Sequence, residues 1–191
     1  MIWLNIGFRG IKYHEFDLTA PNLTARIKDL VARLPPIDTF IYSAGIYQQG
    51  LLTDLSDEQV EEMLDVCGRG LIYFCKYLLD RQAELAEFIV ITSSTQYKPQ
   101  RLEPVYSFTK AGEGHFANSL AEDGRIKKVL VVSPSGTKTE FWRDIKHPEW
   151  GNFLDPAWVT KQIMEARAGK YQYKFLKIFR SPPKVEIVET R

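Results

Sequence analysis

At 191 residues, with 45% hydrophobic and 26% charged side chains, the chain is long enough to bury one sizeable core and reads as a single domain over 1–191. Lys+Arg 25 against Asp+Glu 24 leaves a net charge of +1, which excludes the basic surplus expected of a protein built to hold a polyanion. Two cysteines, Cys67 and Cys75, fall within one amphipathic stretch. They offer neither a disulfide framework nor a zinc or redox pattern, and a cytoplasmic location is expected.

The opening MIWLNIGFRG lacks the layout of a secretion signal, and no apolar run reaches membrane-spanning length. IWLNI (2–6) and IKYHEF (11–16) read as strands. Residues 22–34 carry Leu23, Ile27, Leu30, Val31 and Leu34 at helical spacing, stopped by Pro35-Pro36. DTFIYS (38–43) is a strand, and Ser56 with Gln59 forms a capping box that opens a helix running to about residue 84. EFIVIT (87–92) and KKVLVVS (127–133) are nearly continuous in apolar residues, as strands covered on both faces are. Between them a helix spans 106–122 and closes near Gly124. KYQYKFLKIFRSPPK (170–184) alternates aromatics with Lys and Arg. It fits a final strand with a charged exposed face better than a nucleic-acid stacking platform. Strand and helix in alternation predict an α/β fold, with ligands bound at the carboxyl ends of the strands.

Those strand ends carry Ala44-Gly45, Ser93-Ser94 and PSGTKT (134–139). Just beyond the second lies YSFTK (106–110), in which Tyr106 and Lys110 leave the same helix face. A phenol of pKa about 10 is a poor acid or base at neutral pH, and an ammonium nearby lowers that value by about 1–3 units. A serine hydroxyl can meanwhile polarise a carbonyl oxygen. The set suits proton transfer at a carbonyl, coupled to hydride exchange with a nicotinamide cofactor. Phe141, Trp142, Trp150, Phe153 and Trp158 follow; they either line an apolar substrate pocket or plug a core. His14, His115 and His147 form no cluster, so no metal site is expected.

DLT (17–19), YSAG (42–45), ITSS (91–94), YSFTK (106–110) and PSGTKT (134–139) occur in the order and near the spacing of the short-chain dehydrogenase/reductase family, which the chain resembles from about residue 2 to residue 145. The resemblance implies a Rossmann-like doubly wound parallel sheet with helices on both faces. It also implies an NAD(P)-dependent oxidoreductase interconverting a secondary alcohol and a ketone. Tyr106 would be the acid/base, Lys110 would lower its pKa and hold the nicotinamide ribose, and Ser94 would orient the carbonyl, with Ser93 as the alternative. Asp17 would lie by the adenine, Ala44 and Gly45 under the adenosine ribose, and Pro134, Thr137 and Thr139 by the nicotinamide amide. Asn5 and Arg9 tilt the expectation towards NADP over NAD.

The chain departs from the family pattern in three places. No TGxxxGIG strand-turn-helix is present, so the first βα unit is expected to be missing, with residues 2–6 or a partner chain filling the gap beside strand 38–43. Cys67 stands where the family has its catalytic asparagine, and YSAG and PSG replace NNAG and PG. The expected partners are a small carbonyl or alcohol substrate and further copies of the chain, in a homodimer or homotetramer joined through helices 56–84 and 106–122, without nucleic acid or membrane. Two other readings stand beside this one: a catalytically silent oligomeric relative with a binding or regulatory role, and a truncated gene product.

Overall fold

The computed structural model describes residue 12 and residues 14–142 and 149–191. Five strands form one sheet in the order β1-β2-β3-β4-β5: β1 Thr39–Tyr42, β2 Glu87–Ile91, β3 Val129–Pro134, β4 Tyr173–Arg180 and β5 Pro183–Thr190. The first three pairings are parallel and the last is antiparallel. Alternation along the central strands divides the core. Phe88, Val90, Val129 and Val131 pack under helices α3 (Gly70–Gln82) and α4 (Pro104–Leu120). Ile89, Leu130 and Val132 pack with Val159 of α5 (Pro156–Ala166) on the opposite face. Each such side chain, fully buried, contributes about 1.5–3 kcal/mol, and having both faces covered explains why these strands read as unbroken apolar runs. Helix α1 (Leu23–Arg33) adds an outer layer through Leu23, Ile27 and Val31 against Leu78 of α3.

Local signals set the helix starts. Ser56 and Gln59 close the capping box of α2 (Asp57–Leu64), Pro104 occupies the first turn of α4, and Asp155 Oδ1 accepts from the Trp158 amide (2.8 Å) at the start of α5. The helix anticipated from 56 to 84 contains a π turn, Asp65–Arg69, between α2 and α3. A π turn widens the backbone, and here the Tyr42 hydroxyl of β1 donates to the Val66 carbonyl. None of the helices among the described residues is long and apolar enough to cross a membrane.

The strand expected at 11–16 does not form among the described residues: residue 12 and residues 14–17 have no regular structure. Asp17 Oδ1 instead accepts from the Thr19 amide (2.9 Å) and the Thr19 hydroxyl (2.8 Å), a local turn that competes with strand pairing. Residues 2–6 lie outside the described residues. Among the described residues, β1 pairs with β2 alone. The single strand expected over 170–184 is a hairpin. β5 covers β4 and takes the edge, and it is β5 whose side chains are almost all exposed. Lys174 of β4, which is buried, donates to the Ala166 carbonyl (2.7 Å), satisfying an end of α5 that has no partner within the helix.

Candidate active site

The loops after β1, β2 and β3 meet at the carboxyl end of the sheet, and α4 brings Tyr106 and Lys110 against them. Both side chains are buried, and the Lys110 ammonium lies 5.7 Å from the centre of the Tyr106 ring. A cavity of about 330 Å³ opens beside the tyrosine. Ser93, Ser94, Ser135 and Gly136 from the strand ends line it, with Tyr47, Trp142 and Phe153 forming an aromatic wall.

Tyr106 is wedged edge-on against Tyr47, ring centres 5.1 Å apart, and Tyr47 donates to Glu103 Oε1 (2.9 Å). Burial pushes the Tyr106 phenol up to about 12; the Lys110 ammonium and a hydrogen bond with Ser93 pull it down, while Cys67 and Glu113 add to the rise. Of the two serines, Ser93 is the one that acts on the phenol, and both line the cavity. Ser94 is the first residue of a short 3-10 turn, Ser94–Gln96. The Ser93 hydroxyl also accepts from the Thr95 amide (3.2 Å), which fixes its position at the strand end.

Lys110 does not stand alone. Its Nζ lies 2.9 and 3.0 Å from the two carboxylate oxygens of Glu113, one turn further along α4, and 3.4 Å from the Ile91 carbonyl. Burial works against the ammonium, but Glu113, with Tyr106 and Cys67 behind it, outweighs burial and holds Lys110 above the usual lysine range. Burial lifts Glu113 well above the carboxylate range despite the pull of Lys110. Cys67, on the π turn, is fully buried with its thiol 3.9 Å from the Ile46 carbonyl; burial raises it and Lys110 opposes the rise.

The remaining residues singled out from the sequence are distributed unevenly. Gly45 lies against Lys110: an added Cβ would come within 3.4 Å of Nζ. Ala44 packs onto the core under β1. Pro134 ends β3, the Thr137 hydroxyl donates to the Ser135 carbonyl (3.0 Å), and Thr139 is exposed. Asp17 sits exposed in the turn ahead of α1, with Thr19 holding its carboxylate below the usual range. The aromatics divide: Trp142 and Phe153 line the cavity, whereas Trp158 packs into the core under α5. Tyr47, Glu103 and Glu113 were not anticipated. Glu113 alone had a signal, being three residues after Lys110 on the same helix face.

The donor set suits the nicotinamide end of a dinucleotide: a lysine, a tyrosine, two serines and a backbone loop with a glycine that leaves room beside the ammonium. For the pyrophosphate, no glycine-rich strand-to-helix turn occurs among the described residues, and IGFRG, with Asn5 and Arg9, lies outside them.

The pattern of the short chain dehydrogenase family matches residues 6–150. Carbonyl reductase family member 4 of Xenopus laevis is 27% identical over 159 residues, which cover 78% of this chain and 67% of that protein. Short chain dehydrogenase claC of Passalora fulva is 24% identical over 123 residues, 62% of this chain and 46% of that protein. The chain thus spans from just under half to two thirds of the length of these relatives. Among solved structures, an alcohol dehydrogenase from the archaeon Thermococcus sibiricus, complexed with 5-hydroxy-NADP, superposes with a TM-score of 0.74 at 20% identity, covering 91% of this chain and 76% of that one. The closed form of serine dehydrogenase complexed with NADP+ gives 0.70 at 23% identity, covering 83% and 72%. At these identities the superpositions establish the fold, and the pattern match over most of the chain establishes the family: the chain belongs to the short-chain dehydrogenases, an oxidoreductase family.

Proposed function

We propose that the chain interconverts a secondary alcohol and a ketone with NADP or NAD, and that Tyr106 exchanges the proton. The observation that carries this is a buried phenol, acted on by the Ser93 hydroxyl and the Lys110 ammonium, on the wall of a cavity large enough for a small organic substrate. Ser93 takes the role that resemblance gave to Ser94, since its hydroxyl adjoins the phenol and can hold a carbonyl oxygen there. Lys110 would hold the nicotinamide ribose, Ala44 and Gly45 would lie under the adenosine ribose, and the Pro134–Thr139 segment would lie at the amide. The cofactor, when bound, supplies the hydride. The 5-hydroxy-NADP of the Thermococcus sibiricus structure and the NADP+ of the serine dehydrogenase structure support NADP over NAD here. By family resemblance the protein would be a homo-oligomer, and its two cysteines without a disulfide pattern suit the cytoplasm.

The test is oxidation of NADPH and NADH, followed by absorbance, against a panel of small ketones and aldehydes. Wild type should turn over at least one of them, and Tyr106→Phe should lose about 10²–10⁴-fold in turnover with cofactor binding retained. Turnover unchanged in that variant would sink the reading. One observation favours a second reading, a catalytically silent relative: the ammonium meant to assist the phenol is engaged by Glu113, and Tyr106 stays at about 12. Cofactor binding without turnover of any substrate would favour it.

A further inference from the structure

The pairing of Lys110 with Glu113 has a consequence for ligand binding, which rests on the reading of Lys110 as a ribose-holding residue. An ammonium has three N–H donors and no acceptor. In this structure the three acceptors within reach are the two Glu113 oxygens, at 2.9 and 3.0 Å, and the Ile91 carbonyl at 3.4 Å. No donor remains for a sugar hydroxyl in the cleft. The ion pair is also sealed: the Lys110 side chain is 4% exposed and that of Glu113 0%. For Lys110 to turn towards a ribose, its contacts with Glu113 must be given up, and the carboxylate would then be left charged, buried and unpaired. Such a charge is too costly to persist in an apolar surrounding, and the group takes up a proton instead.

We propose that Glu113 holds Lys110 in the ligand-free protein and releases it only by becoming protonated, so that occupancy of the nicotinamide-ribose position is coupled to uptake of one proton. The balance is simple. An N–H bond of Lys110 breaks as an O–H bond forms on Glu113, and the neutral amine, once it has turned out of the sealed pair towards the cleft, takes a proton back from solvent there. The products are a neutral Glu113 and a Lys110 ammonium free to donate to the sugar.

The surroundings of Glu113 make this exchange possible. The groups facing it are Lys110 and Tyr106 of α4 itself, Tyr42 of β1 and Cys67 of the π turn; β2 contributes the Ile91 carbonyl to Lys110. None of these except Lys110 carries a positive charge, so once the ammonium leaves nothing supports the carboxylate. With Lys110 still in place, burial already lifts Glu113 from 4.5 to about 7, which puts the proton within reach near neutral pH. Glu113 touches neither substrate nor cofactor in this scheme. It is a positioning residue acting through Lys110.

The experiment is calorimetric titration with NAD+ and NADP+ between about pH 6 and pH 8, in two buffers of different ionisation enthalpy so that protons are counted directly. For the wild-type chain we expect uptake approaching one proton per cofactor at the alkaline end, with affinity falling about tenfold across the range. Glu113→Gln should bind without that uptake and with nearly flat affinity; titration of the 2′-phosphate of NADP+ is common to both proteins, and NAD+ lacks it. If the variant does not fold, the wild-type proton count with NAD+ decides alone. Saturable binding with no proton uptake overturns the coupling and leaves the proposed function intact. Absence of saturable binding by either cofactor overturns both.

Discussion

Gly70 of α3 lies directly under Tyr42 of β1: a Cβ at residue 70 would come within 2.7 Å of the Tyr42 hydroxyl oxygen, 2.9 Å of Leu18 Cδ2 and 3.1 Å of the Asp65 carbonyl. The glycine lets the helix approach the strand closely enough for that hydroxyl to donate to Val66. Gly70→Ala therefore forces the π turn off β1. We predict a loss of about 1–3 kcal/mol, only partly offset by the roughly 1 kcal/mol better helix propensity of alanine. At about 2–4 °C per kcal/mol for a chain of this size, thermal melting would read it clearly. A variant as stable as wild type would mean the contact is loose.

The second prediction separates the two serines. Ser93→Ala removes the hydroxyl beside the phenol and should cost about 10²–10³-fold in turnover, as loss of a polarising donor does. Ser94→Ala, on the 3-10 turn, should stay within a few fold. Measuring both variants on one substrate decides between them, and the reverse order would return the role to Ser94.

For pH dependence, the base form of Tyr106 is the one needed in alcohol oxidation. Burial, the largest influence, raises that phenol from 10.0 to about 12. At saturating cofactor, turnover in oxidation should therefore keep rising with pH, about tenfold per unit, with no plateau below about pH 10. Ketone reduction needs the protonated phenol, which is present throughout that range, so it should show no loss from this group. The folded chain binds this proton more tightly than the unfolded one, so the corresponding stability is present below pH 10 and drains away as pH climbs towards 12. A plateau of oxidation near neutrality would show that ligand binding resets the phenol.

The Lys110–Glu113 pair predicts a non-additive cycle. Glu113→Leu leaves an uncompensated buried ammonium and should cost about 3–5 kcal/mol, as should Lys110→Met for the opposite charge. The double replacement leaves no buried charge and should cost far less than the sum, which urea unfolding of the four proteins would measure. Additive losses would mean that water reaches the pair.

Assembly is tested at two exposed side chains. Ile72 on α3 is 44% exposed and Phe108 on α4 is 68% exposed, while Leu71 and Leu78, also on α3, point into the core. If copies pair through these helices, wild type should sediment as a dimer or tetramer and Phe108→Arg should shift it towards monomer. A wild-type monomer at micromolar concentration would dispose of the interface.

Much of this molecule was legible in sequence because the signals are local. The apolar runs of β2 and β3, the Ser56–Gln59 box and the four-residue step from Tyr106 to Lys110 each depend on neighbours within a turn or two, so their meaning survives without the rest of the chain. Other features depended on what packs against what. The strand pattern at 11–16 yielded to a turn closed by Asp17 and Thr19. The alternation of 170–184 could not show that a further strand, β5, would fold back and take the exposed edge from β4. Two adjacent serines differ in sequence only by one step; the backbone leaving β2 directs Ser93 to the phenol and Ser94 into the 3-10 turn. Glu113 was visible as a residue one turn past Lys110, but such a pair on an exposed face would count for little. Only the burial of α4 against the sheet, which strips water from both charges, makes it the dominant electrostatic feature of the site.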